Sequence, residues 1–139
     1  MGGPLEGIKV VEMGVWVAGP AAGAILADWG AEVIKIEPPG LGDPARSLKT
    51  MLGGDMPFNP VFENDNRRKR SSSADVGQPE GLEIARDLIR DAEVFLSKVR
   101  PGGHARLGLG AEELCSRFPR LVYGIITGYG LEGEDADRA

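Results

Sequence analysis

The side chains able to do chemistry are few and scattered. One histidine and one cysteine occur in 139 residues, which excludes a disulfide framework and a Cys/His zinc site. His104 follows a Gly-Gly turn and has no serine or cysteine partner at motif spacing. It is expected at the surface or at a helix start. Cys115 sits in the apolar run of a short helical piece and is expected in the core. Glu37, Asp43 and Asp75 stand at the ends of elements, where catalytic carboxylates occur, but nothing in the sequence pairs them and structural roles are expected. Arg67-Arg68-Lys69-Arg70 could contact phosphates, although such a run more often forms a solvated face, here tempered by Glu63 and Asp65. With a net charge of -5 and a pI near 4.9, nucleic acid is not expected as a partner.

Three segments have the placement of ligand-binding turns: VWVAGP, EPPG and SKVRPGG. Each follows a strand, and ligands of open α/β sheets bind beyond the carboxyl ends of strands. The first leads into a helix N-terminus, where free N–H groups and the dipole favour an anion such as phosphate. It is neither GxGxxG nor a Walker A loop. Two readings stand side by side: a nucleotide or coenzyme site, or an ordinary tight βα turn.

The elements that would position these turns follow from periodicity and punctuation. Residues 8–12 form a β-branched run that reads as a buried strand. Gly19-Pro20 opens a small-residue helix that ends at Gly30. Residues 32–36 make a second strand, stopped by Pro38-Pro39-Gly40. This βαβ unit favours a parallel sheet with a right-handed crossover. From 38 to 60 no period is sustained, which predicts a long loop. Residues 64–70 are polar and basic, and 71–76 predict a third strand. Pro79 starts a helix with Leu82, Ile84, Ala85, Leu88 and Ile89 on its apolar side. A strand over 94–96, helical pieces over 104–107 and 111–118, and a strand over 121–127 complete the chain. The fold class is therefore α/β, a Rossmann-like, mostly parallel sheet flanked by helices. No apolar stretch approaches the ~20 residues of a membrane span. The N-terminus lacks the features of a secretory signal, so a cytoplasmic setting is expected.

Read in order, PLEGIKVVEMG-x-x-VAGP, LADWGAEVIKIEPPG-x-GDPAR, N-x-x-KRS, PEG-x-E, RPG-x-x-x-RLGLG and PRLVYGIITGYG-x-EG resemble the N-terminal part of class III CoA transferases, a family that includes the α-methylacyl-CoA racemases. The resemblance runs from Pro4 to Ala139. It implies that residues 1–139 are the CoA-binding, Rossmann-like part of a larger domain, in a protein whose subunits interlock as a homodimer. It implies acyl-CoA and a carboxylic acid acceptor as substrates, no metal, and catalysis by an aspartate that attacks the acyl-CoA thioester. That aspartate would lie beyond residue 139, and neither His104 nor Asp137 occupies a catalytic motif position. For the coenzyme the resemblance points to Val17 and Ala18 in the VAGP turn, Val99 before the RPG turn, Arg106 in RLGLG and Tyr129 in GYG. A guanidinium at 106 suits a pair of phosphate oxygens, or a salt bridge across its short helix. Ser97-Lys98-Val99 departs from the E-N-F or T-N-F usual before RPG. Pro38 stands where some members carry arginine, and Ser72-Ser73-Ala74 replaces a more apolar strand. Alternatives are an acyl-CoA racemase or epimerase fragment, a non-catalytic CoA- or nucleotide-binding module, and the dinucleotide domain of an oxidoreductase. The last lacks its glycine fingerprint. The isolated chain is expected to be marginally stable or to self-associate.

Overall fold

A computed structural model of the chain describes residues 2–48, 57–99 and 101–136. Five short strands make one parallel sheet: β1 (Lys9–Met13), β2 (Glu32–Glu37), β3 (Arg70–Ser73), β4 (Val94–Ser97) and β5 (Val122–Ile125). Their order is β3-β2-β1-β4-β5, with every neighbouring pair parallel. The order reverses between β1 and β4, so the crevice beyond their carboxyl ends is the topological switch point.

The period-2 alternation of β1 divides the core between the two faces of the sheet. Val10 and Val33 pack with Ala27 and Ala31 beneath helix α1 (Ala18–Asp28). Val11, Met13, Ile36 and Phe95 point the other way, against Ala85 and Ile89 of α3 (Pro79–Arg90) and Leu114 of α5 (Ala111–Arg117). Helix α4 (Pro101–Leu107) lies between them in sequence. Alanine and glycine on α1 allow close approach to the sheet, and Gly19, Gly23, Ala24 and Ala27 are all buried. The helix ends in a Schellman motif: Ala31 N–H donates to Leu26 O and Gly30 N–H to Ala27 O, with Gly30 at φ +102°.

Several expectations need correction. Helix α2 (Pro60–Asn66) occupies a stretch with no apolar period. Asn59 nucleates it, its side chain accepting from Phe62 N–H and its amide donating to Ala45 O, with Pro60 at the first position. Part of the loop expected over 38–60 is a 3₁₀ turn, Pro44–Ser47, capped by Asp43; 49–56 lie outside the described residues. Strand β3 is shorter than expected, Arg70–Ser73 rather than 71–76, because the chain turns at Asp75, whose side chain accepts Gly77 N–H and whose carbonyl accepts Gln78 N–H. Ile84 of α3 is exposed rather than apolar-side core.

Candidate functional site

At the switch point β1 runs through Gly14 into the turn that starts α1. A Cβ on Gly14 would meet Gly19 Cα at 3.5 Å and Lys98 Cβ at 3.8 Å. A Cβ on Gly19 would meet Lys98 Cβ at 3.7 Å and Ile126 Cδ1 at 3.9 Å. The turns leaving β1, β4 and β5 therefore converge on two glycines, where the backbone offers a close approach. Val17, the N-cap of α1, makes no side-chain cap, and the first helical turn carries no acid. Its orphan N–H groups and positive dipole end are thus available to an anion.

The resemblance named five coenzyme residues, and the structure brings some of them to this crevice. Val17 and Ala18 stand exposed at the mouth of α1. Val99, half-buried, follows β4 and donates its N–H to Ser97 Oγ (3.1 Å). Arg106 is exposed on α4, and among the described residues no salt bridge across that helix accompanies it. Tyr129 is exposed beyond β5.

His104 is a correction. It is 1% exposed, and its Nε2 lies 2.6 Å from Ser97 Oγ. The local rule failed because the partner is seven residues away, on the neighbouring strand. Phe95 and Tyr123 present ring edges to the imidazole, and burial lowers its pKa from 6.5. Ser97 Oγ also lies 3.1 Å from Met13 O. The Nε2–H tautomer satisfies this group completely: the hydroxyl accepts from His104 and Val99 N–H and donates to Met13 O. The histidine's Nδ1 is then a buried acceptor without a partner among the described residues. Cys115, expected in the core, is half-buried, its Sγ 3.9 Å from Leu121 O.

A second polar cluster lies on the α1 face of the sheet. Glu12 and Lys35 are register partners on β1 and β2, both essentially inaccessible. Lys35 Nζ reaches Asp43 Oδ2 (2.5 Å), Asn66 Oδ1 (2.9 Å) and Glu12 Oε1 (3.4 Å). Lys69 Nζ meets Glu12 Oε2 (2.6 Å) and donates to Pro20 O (2.7 Å). Burial lowers the Lys69 pKa in spite of Glu12. Glu37 and Asp43 do have partners. Arg46 forks onto Glu37, which also accepts Asp43 N–H (2.9 Å) and Ser71 Oγ–H (3.1 Å). Burial alone would raise both carboxyls. The hydrogen bonds of Arg46, Asp43 N–H and Ser71 hold Glu37 below the usual range, and those of Lys35, Ala45 and Trp16 do so for Asp43. A cleft of about 110 Å³ opens here between Lys35, Arg46, Phe62, Asn66, Lys69 and Ser71. The basic run does not act as one face. Arg67 pairs with Asp28, Lys69 goes inward and Arg70 pairs with Glu32. Asp75 accepts Gly77 N–H in the turn before α3.

A charged residue inside an apolar strand, Glu12 between Val11 and Met13 and Lys35 between Ile34 and Ile36, is the available sequence signal for this cluster. Asp137 lies outside the described residues. Among the described residues no group of three or more His, Cys, Asp or Glu side chains could hold a metal ion. No helix there is long and apolar enough to cross a membrane.

Comparison with known proteins fits this architecture. The profile of CoA-transferase family III matches residues 5–139. The chain is 41% identical over 135 residues to the probable fatty acyl-CoA transferase Rv3272 of Mycobacterium tuberculosis, covering 97% of this chain and 34% of that protein. It is 37% identical to the human succinyl-CoA:glutarate CoA-transferase, covering 98% and 31% respectively. The crystal structure of Rv3272 superposes with a TM-score of 0.89 at 40% identity, over 99% of this chain and 38% of that one. A CAIB/BAIF family protein from Brucella suis gives 0.88 at 38% identity, over 100% and 37%. The chain thus spans about a third of the length of the relatives it matches, and it belongs to CoA-transferase family III.

Proposed function

We propose that residues 1–139 form the N-terminal, coenzyme-binding part of an enzyme that moves CoA between carboxylic acids. The observation that carries this reading is the uncapped, acid-free start of α1 at the switch point of the sheet. It is a ready anion site in a family whose relatives act on CoA thioesters by name. Val17 and Ala18 offer main-chain N–H groups to a phosphate of the coenzyme, and Val99 lines the opposite lip. Arg106 supplies a guanidinium for a second phosphate contact, and Tyr129 a ring from the β5 side. In the whole enzyme an aspartate outside these residues attacks the acyl-CoA carbonyl. The C–S bond breaks, CoA leaves as the thiolate and an aspartyl-acyl anhydride remains. The acceptor carboxylate takes the acyl group and frees the aspartate, and CoA thiolate then attacks the acceptor's carbonyl, forming the new thioester and releasing the donor acid as its carboxylate. The names of similar proteins, among them succinate–glutarate, D-citramalate and (R)-2-hydroxy-4-methylpentanoate CoA-transferases, favour this transfer over racemisation. The functional protein is an interlocked homodimer in the cytoplasm, with acyl-CoA and a carboxylic acid as its small-molecule partners.

Calorimetry on the chain tests the binding half. CoA binds and NAD does not. Arg106→Ala weakens CoA by about tenfold or more, the worth of a charge-assisted contact. Equal binding of CoA by wild type and Arg106→Ala removes Arg106 from the site. No heat with CoA at millimolar concentration sinks the coenzyme reading. The chain by itself transfers no CoA between succinate and glutarate; turnover at enzymatic rates would place the nucleophile within it.

A further inference from the structure

The turn that starts α1 is held from a distance as well as by its own backbone. Trp16 lies in the left-handed region at φ +68°, where a bulky side chain is strained. The residue is 41% exposed, so core packing does not fix it. Its backbone N–H instead donates across 27 residues to Asp43 Oδ1 (3.0 Å). Asp43 is fully buried and doubly anchored. The same Oδ1 accepts Ala45 N–H (2.9 Å), Oδ2 takes Lys35 Nζ, and its own N–H is tied to Glu37 Oε2. Lys35 is in turn set in the sheet by Glu12 and Asn66. The local cap on Ala45 and the ion pair to Lys35 would already satisfy a carboxylate. The bond to Trp16 is the addition, and it couples the β2 loop to the residue just before the α1 N-cap.

We infer that Asp43 is a positioning residue for the coenzyme turn. Its buried carboxylate tethers Trp16 N–H, fixes the left-handed step there and so aims the Val17 and Ala18 end of α1 at a coenzyme phosphate. This rests on the coenzyme reading above. Asp43 itself touches no ligand.

The test combines amide hydrogen exchange at Trp16, read by NMR, with CoA calorimetry and a thermal melt on the full chain. In wild type the Trp16 amide is protected to the same order as amides of β1; an unprotected Trp16 overturns the tether without any variant. Asp43→Ala speeds exchange at Trp16 by more than tenfold beyond the change at β1, and lowers CoA affinity by about tenfold, the worth of one lost hydrogen bond to a charged group. Asp43→Asn combined with Lys35→Met keeps an oxygen facing Trp16 and Ala45 and removes the ammonium that would oppose the amide. It restores both protection and affinity to within about threefold of wild type, whatever its melting temperature. Equal losses of affinity in the two variants, or an Asp43→Ala protein that binds CoA normally, overturn the positioning role. Wild type that binds no CoA overturns the coenzyme reading and this role with it, while exchange at Trp16 still decides separately whether the tether exists.

Discussion

At the scale of single residues, the Ser97–His104 pair shows how much a buried polar group can organise. One hydroxyl joins the end of β1 through Met13 O, the turn after β4 through Val99 N–H, and α4 through the imidazole. Protonation would place an N–H on Nδ1, which faces no partner among the described residues. Burial accordingly depresses the folded-state pKa below the 6.5 of the free side chain. A depressed histidine contributes stability that is whole above the unfolded value and is lost as pH falls through the interval down to the folded one. Denaturant melts should therefore be flat near pH 8 and lose stability from about pH 6.5 downward, with a slope of up to about 1.4 kcal/mol per pH unit for one proton. His104→Leu is less stable but flat over that interval. Glu37 and Asp43, whose folded values are lowered from 4.5 and 3.8, keep their contribution above those values and lose it only in stronger acid. A wild-type curve with no slope between pH 6.5 and 5 would contradict this account of His104.

Elements are governed by how closely they approach, and α1 gives the sharpest case. A Cβ on Gly23 would run into Glu12 Oε2 and come within 3.2 Å of Lys69 Cε. Replacing a helix-interior glycine by alanine gains up to about 1 kcal/mol of helix propensity. Overpacking costs about 1–3 kcal/mol, and here it also pushes apart a buried ion pair, so the cost wins. Gly23→Ala should destabilise by about 1–2 kcal/mol. Gly102→Ala in α4, where a Cβ meets nothing within 4 Å, should be neutral or stabilise by up to about 1 kcal/mol. Chemical denaturation of the two variants decides, and the same sign for both would refute the packing argument. The strands β1, β2, β4 and β5 and the helices α1 and α3 were legible in the sequence, because their apolar spacing follows from the core they build. Helix α2 was not, since Asn59 capping and Pro60 start it without an apolar stripe. The Glu12–Lys35–Asp43 cluster was legible only as two charges inside apolar strands, and its assembly was not. Its members meet through strand register and a loop that folds back, and no local spacing encodes either. The coenzyme turn itself was legible as a strand entering a helix, whereas the tether from Asp43 to Trp16 was not.

Across the whole molecule, the two edges of the sheet are unlike. The β3 edge is polar: Arg70 pairs with Glu32, and three serines follow it. Charged and polar side chains are how natural sheets discourage edge-to-edge pairing. The β5 edge has Val122, Tyr123, Gly124 and Ile125, with Val122 62% exposed. Its outer hydrogen-bonding row has no strand partner among the described residues, and Tyr129 and Leu131 are exposed nearby. Such an edge is a template for another strand, and apolar surface beside it adds a driving force. The isolated chain should therefore associate through β5, with a weight-average mass that rises with concentration in sedimentation equilibrium. Val122→Lys places a charge on that edge and should shift the population toward monomer. Ser72→Val on β3 makes the other edge less polar without touching β5, and serves as the comparison. A wild-type chain that stays monomeric at high micromolar concentration would show the β5 edge to be already guarded. Association that Val122→Lys leaves unchanged would place the contact elsewhere, with the exposed Ile25 and Trp29 of the α1 side the next surface to substitute.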